Sequence, residues 1–220
     1  MKRRYRLSWP LVLYWLILLG ALYVFAELAG DVYEQERFAF DDALLTWFNA
    51  QQTPLLTSLA RGVTFIGSGV ILTPAALLLG VWLWRGSRRQ AVFFLLSVAG
   101  ATVLNLTAKA FFARARPALF DRLSPASNFS FPSGHAMISA AFFVALGLLF
   151  WQRYPQQRVW TALWMSLTPL AIGITRPYLQ VHYPSDILAG WALAVAWVLG
   201  VFAWFRRRQA GLRRSEASGG

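Results

Sequence analysis

Six stretches of the chain stay predominantly apolar for about twenty residues, the length an α-helix needs to cross a bilayer. They fall at approximately 9–29, 55–84, 90–112, 133–152, 159–176 and 185–205. This patterning predicts an all-α fold: one domain over residues 1–220, organised as a six-transmembrane-helix bundle. Residues 31–53, between the first two stretches, mix Asp31, Glu34, Glu36, Asp41 and Asp42 with Phe38, Phe40, Leu44, Leu45, Trp47 and Phe48. That mixture fits a short amphipathic helix lying in the membrane interface, and equally an ordinary surface connector. The end of the chain, Ser215 to Gly220, is small and polar and reads as a disordered tail.

Composition agrees with the membrane reading. Hydrophobic residues make up 57% of the 220 positions and charged residues 14%, against roughly 25% charged in soluble domains. The 11 Trp and 17 Phe belong on lipid-facing surface. A net charge of +12 first suggests nucleic acid, but the placement of the charges argues against it. Lys2, Arg3, Arg4 and Arg6 precede the first stretch; Arg85, Arg88 and Arg89 share one loop; Arg153 and Arg158 share another; Arg206, Arg207, Arg208, Arg213 and Arg214 follow the last. With six crossings all of these fall on one side, the positive-inside pattern that puts both termini in the cytoplasm. They serve as topology markers with affinity for anionic headgroups; no nucleic acid is expected as a partner. The first stretch also has the basic start of a signal peptide, but it is longer than a usual apolar signal core and lacks a clean small-residue cleavage site. A retained helix is expected.

Cysteine is absent, which excludes thiolate chemistry, disulfides and cysteine-ligated zinc; with two histidines a multi-histidine metal site is not expected. The polar residues cluster instead. Lys109 to Pro117 closes the third stretch, Pro132-Ser133-Gly134-His135 opens the fourth, and Arg176, His182 and Asp186 lie between the fifth and the sixth. In the six-span topology every one of these groups lies at the outer face. Three cations, Lys109, Arg116 and Arg176, suit a phosphoryl group. Ser133, Gly134 and His135 sit at a helix start, where free N–H groups attract anions. His182 with Asp186 can hold one tautomer and attack phosphorus, leaving His135 to protonate the departing oxygen. Each piece alone has a plainer role. Lys109, Arg114 and Arg116 can snorkel to headgroups; Ser133 and Asp186 can cap helices; Arg61 reads as an interfacial anchor. It is the conjunction on one face that argues for chemistry.

These residues resemble the three signatures of the type 2 phosphatidic acid phosphatase superfamily. They are Lys109, separated by six residues from Arg116-Pro117; the tetrapeptide Pro132-Ser133-Gly134-His135; and Thr175-Arg176 followed by His182 and Asp186. Thr175 stands where the family usually has serine and keeps the hydroxyl. The resemblance spans Lys109 to Asp186 and extends, in length and hydropathy, to small bacterial members. It implies a multi-pass protein of the bacterial cytoplasmic (inner) membrane with its site facing the periplasm or exterior. It also implies His182 as nucleophile, Asp186 as its partner, His135 as acid and later base, and Lys109, Arg116, Ser133, Gly134 and Arg176 as phosphate holders. No cofactor and no metal are expected. The implied reaction is hydrolysis of a lipid phosphate or pyrophosphate, such as undecaprenyl pyrophosphate or phosphatidylglycerophosphate. Two rivals stay open: phosphotransfer to a second lipid such as lipid A, and a lipid or anion transporter that binds without cleaving.

Overall fold

The structure, a computed structural model, describes residues 9–36 and 38–218, with side chains through Arg207. Among the described residues there are α-helices, one 3₁₀ turn and no strand. The helices are α1 (Trp9–Tyr33), α2 (Ala39–Ala50), α3 (Pro54–Ile66), α4 (Gly69–Gly86), α5 (Arg88–Phe112), α6 (Gly134–Arg153), α7 (Arg158–Tyr178) and α8 (Pro184–Ser218). The basic residues at positions 2–6, and the side chains of Arg208, Arg213 and Arg214, lie outside the described set. The backbone is helical to Ser218, within the stretch expected to be disordered, while residues 219–220 lie outside.

Five segments are long and apolar enough to cross a membrane: α1, α3 with α4, α5, α6 and Pro184–Arg207 of α8. The sixth expected span corresponds to α7, whose 21 residues include Pro169 and Pro177. The expected single helix over 55–84 is broken in two. Thr53 caps α3 by accepting from the Leu56 N–H, with Pro54 at the first helical position, where its missing N–H costs nothing. The helix ends at Gly67, and a Cβ there would collide with Ile172 of α7. Glycine at this point lets α7 approach the α3–α4 junction closely, and Ser68 restarts the chain as α4.

The core lies where α4, α5, α6 and α8 meet, around Phe94, Met137, Ala140, Ala141, Ala145, Ala194 and Val198. Alanines on α6 and α8 let the helix backbones come close, which replaces the hydrophobic driving force that lipid cannot provide. α1 packs along α8 through Leu18, Ala196 and Leu199, and Tyr14 donates to the Leu199 carbonyl at 2.6 Å. Only 6% of the apolar window of α1 is buried, so most of its surface is left for lipid. The loop over 113–133 is longer than compact folds usually tolerate without a function. It folds back over one end of the bundle.

Candidate active site

Three segments converge at that end. α5 stops at Phe112 because Ala113 adopts a left-handed conformation (φ 46°), its N–H closing on the Lys109 carbonyl. The following loop is pinned by Ser130 N–H to the Arg114 carbonyl (2.8 Å) and Leu123 N–H to the Leu179 carbonyl (3.0 Å). At the start of α6, Ser133 accepts from the Ala136 N–H, and its own N–H donates to the Asp186 carbonyl at 3.1 Å. The first turns of α6 and α8 are therefore joined directly. Gly190 permits this approach: a Cβ there would meet the Ser133 carbonyl at 3.0 Å. Asn105 of α5 supports the same loop by donating to the Pro132 carbonyl at 3.1 Å.

His182, 2% exposed, lies in the short link between α7 and α8, and the fully buried Asp186 lies in the first turn of α8. Nδ1 of the imidazole is 3.2 Å from Oδ2 of Asp186. Oδ2 also accepts from the Tyr183 N–H at 2.9 Å and from the Ser130 hydroxyl, while Oδ1 accepts from Arg114 Nη1 at 2.6 Å. On its other side, Nε2 of His182 is 3.1 Å from Arg116 Nη1. A guanidinium only donates, so Nε2 carries the lone pair and Nδ1 the proton. Burial pushes the His182 pKa down to about 4, aided by Arg116 and Arg176 and opposed by Asp186.

The three cations differ in what they have free. Lys109 donates to the Phe129 carbonyl at 2.6 Å and the Ser130 carbonyl at 3.2 Å. Arg116 spends its donors on the carbonyls of Ser127, Asn128, Phe129 and Val181, and on His182. Burial lowers its pKa. Arg176, 3% exposed, donates from Nη1 to Thr64 Oγ1 at 2.6 Å, whereas its Nε is buried without a partner. An orphaned buried guanidinium N–H is costly and is suited to receive an anion.

All the expected site residues therefore gather at one end of the bundle. Gly134 opens α6, in contact range of the Asn105 side chain, and His135 follows it in the first turn. The His135 ring makes no hydrogen bond to a described residue, leaving both nitrogens available. Thr175 spends its hydroxyl on the Ile172 carbonyl. Arg61 donates to the Leu123 carbonyl from an exposed position. Arg114 does not snorkel outward: it turns inward and bridges Asp186 to Asp41 of α2. The residues 31–53 thus hold a real helix whose Asp41 is 2% exposed. Asp41, Arg114 and Ser130 have no distinguishing mark in the sequence.

Known proteins resemble the chain in sequence and in overall fold. The chain is 27% identical over 175 residues to phosphatidylglycerophosphatase B of Bacillus subtilis, covering 78% of this chain and 86% of that protein. It is 26% identical over 194 residues to the undecaprenyl-diphosphatase of Sulfolobus acidocaldarius, covering 84% and 87%. The crystal structure of the transmembrane PAP2-type phosphatidylglycerolphosphate phosphatase from Bacillus subtilis superposes with a TM-score of 0.78 at 24% identity, covering 87% of this chain and 97% of that one. Its fold is shared. With the family model matching residues 90–210, which take in the clustered residues from Asn105 to Gly190 but not Asp41 or Thr64, the chain belongs to the PAP2 superfamily.

Proposed function

We propose that this chain is an integral membrane lipid phosphatase acting through a phosphohistidine at His182. The observation that carries the reading is the two-sided setting of that imidazole: Nδ1–H on the Asp186 carboxylate, Nε2 unprotonated and facing a cation cluster. A carboxylate on Nδ1 fixes the tautomer and stabilises the imidazolium that forms when Nε2 is phosphorylated.

In the first step Nε2 attacks phosphorus and the bond from phosphorus to the lipid oxygen breaks. His135 gives that oxygen a proton. Arg176, through its unpartnered Nε, together with Lys109, Arg116 and the N–H groups at the start of α6 by Ser133 and Gly134, holds the equatorial oxygens, where charge accumulates. In the second step His135 takes a proton from water, the water oxygen bonds to phosphorus, and the Nε2–phosphorus bond breaks. Inorganic phosphate leaves and His182 is restored. None of these steps calls for a metal.

Counting α7 as the fifth of six crossings, and taking the basic loops as cytoplasmic, we put both termini in the cytoplasm and the site at the outer face of the cytoplasmic membrane. Relatives named for phosphatidylglycerophosphate and undecaprenyl diphosphate support a lipid phosphate or pyrophosphate as substrate. A panel of undecaprenyl pyrophosphate, phosphatidylglycerophosphate, phosphatidic acid and lipid A, offered to the detergent-solubilised chain, tests this. Phosphate should be released from at least one lipid, and His182→Ala should release none. Binding without release would favour a transporter; a phosphorylated second lipid with little free phosphate would favour transfer.

A further inference from the structure

The clearest feature that this mechanism leaves unused is the Arg114 guanidinium, held between two buried carboxylates. Nη1 donates to Asp186 Oδ1 at 2.6 Å and Nη2 to Asp41 Oδ2 at 3.0 Å. Ser185 closes the ring. Its N–H donates to Asp41 Oδ1 at 2.8 Å, its hydroxyl lies 2.5 Å from Asp41 Oδ2, and Arg114 Nη1 reaches that hydroxyl at 2.8 Å. The guanidinium also lies over the Tyr183 ring, 4.1 Å from its centroid, with Phe38 on another side. Every one of these contacts is made to a residue within four positions of His182, or to α2 and its N-cap Phe38.

Asp186 needs this support. Its Oδ2 is held by His182, Ser130 and the Tyr183 N–H, and Oδ1 is the second point that holds the carboxylate plane. Arg114 is the only hydrogen-bond partner of Oδ1 among the described residues. Without it, a buried carboxylate oxygen would be left unpaired, and the carboxyl would rotate or take up a proton. Asp41 in turn balances the cation. Paired with Asp186 alone, a full positive charge would draw electron density away from the His182 side. A second carboxylate offsets that pull and holds the guanidinium plane by a second edge, a geometry that arginine's fork allows and lysine's single ammonium does not. α2 is seated by the same region: Leu45 is fully buried and its carbonyl accepts from Gln180 Nε2 at 3.1 Å.

We infer that Arg114 and Asp41 are positioning residues that, through Asp186, fix the Nδ1–H tautomer of His182, so that α2 is part of the machinery that aims the nucleophile. This rests on the role proposed for His182. Neither residue touches the phosphoryl group; both act through Asp186.

The test compares wild type with Asp41→Asn, Arg114→Lys, their double variant, and Asp42→Asn as a neighbouring exposed control. It uses the full chain in detergent micelles with dioleoyl phosphatidic acid as the probe. Both single variants should lower kcat by about 10- to 100-fold, as loss of a partner supporting a reactive group typically does, with KM changed by less than about two-fold. The double variant should be no worse than Arg114→Lys, because the two share one path. Nitrogen-15 spectra of the histidines should show wild-type His182 protonated at Nδ1 and a mixture of tautomers in the variants. A purely structural role would lower the folded fraction and leave the tautomer of the folded fraction unchanged. Should Arg114→Lys fail to insert, the near-isosteric Asp41→Asn carries the test alone. Full kcat in Asp41→Asn, or lost kcat with the tautomer unchanged, overturns the inference. Activity that survives in His182→Ala would instead overturn the role of His182 itself, separately from this pair.

Discussion

Nη1 of Arg116 is shared between Nε2 of His182, 3.1 Å away, and the carbonyl of Val181 at 2.7 Å. If Nε2 attacks phosphorus as proposed, the N–H that rests on the imidazole lone pair is the one an incoming phosphoryl oxygen would capture. The remaining donors hold the 127–129 carbonyls, so this arginine also shapes the loop. Arg116→Lys keeps the charge but loses the fork. With two charge-assisted bonds at stake, each worth roughly 1.5–3 kcal/mol, kcat/KM for phosphatidic acid should fall about 10²-fold or more. Vanadate inhibition should weaken in parallel. Activity within about two-fold of wild type would remove Arg116 from the phosphate.

His182 should titrate far below an ordinary histidine. Burial disfavours the imidazolium, Arg116 and Arg176 add to this, and Asp186 only partly offsets it, giving a pKa of about 4. The sign follows directly: a base whose pKa is lowered is neutral, and so able to attack, at every pH above that value. Only two histidines are present, so spectra of labelled protein, assigned with His135→Gln, can follow each one. The midpoint for His182 should lie close to 4. A midpoint at 6.5 or above would mean that the imidazole is solvated or paired more strongly than its neighbours suggest.

The apolar runs made the helices legible, because a lipid-facing helix needs apolar residues along its whole length. The break at Gly67-Ser68 was not, since the flanking residues are equally apolar and the cause is Ile172, more than a hundred positions away. The same divide runs through the site. His182 and Asp186 are four residues apart, and a spacing of four survives as a spatial pair. Arg114 looked like any cation at a helix end, and Asp41 like one acid among five in residues 31–53. Which carboxylate is buried depends on how α2 docks against the 180–185 segment, a contact between parts of the chain distant in sequence.

Orientation in the membrane can be read by chemistry, because the chain has no native cysteine. Ser127 is exposed in the 113–133 loop at the end that holds the site, and Arg88 is exposed at the opposite end of α5. Arg88 is preferred to its neighbour Ser87, whose hydroxyl caps α5 by accepting from the Gln90 N–H. In intact cells Ser127→Cys should react with a membrane-impermeant maleimide and Arg88→Cys should not, until the membrane is permeabilised. The reverse pattern would place the site inside and invert the topology read from the basic loops.

The two histidines should separate by leaving group. If His182 attacks phosphorus, His182→Ala lacks the nucleophile and should be nearly inactive on every substrate. If His135 protonates the departing oxygen, its value depends on how badly that oxygen needs a proton. A lipid alkoxide needs one greatly, whereas a nitrophenolate, a far weaker base, hardly does. General acid catalysis contributes typically about 10²–10⁴-fold, so His135→Ala should lose activity of that order on phosphatidic acid. On nitrophenyl phosphate it should recover part of the loss, up to the limit that hydrolysis of the phosphohistidine sets. If His135 also activates the water, the phosphorylated protein should accumulate in this variant, detectable as an acid-labile phosphoprotein after brief exposure to labelled aryl phosphate. Membrane insertion is checked first for each variant, by the same cysteine labelling. Full activity of His135→Ala on the lipid would end the acid assignment. A phosphoprotein formed by His182→Ala would end the nucleophile assignment, whatever the turnover numbers.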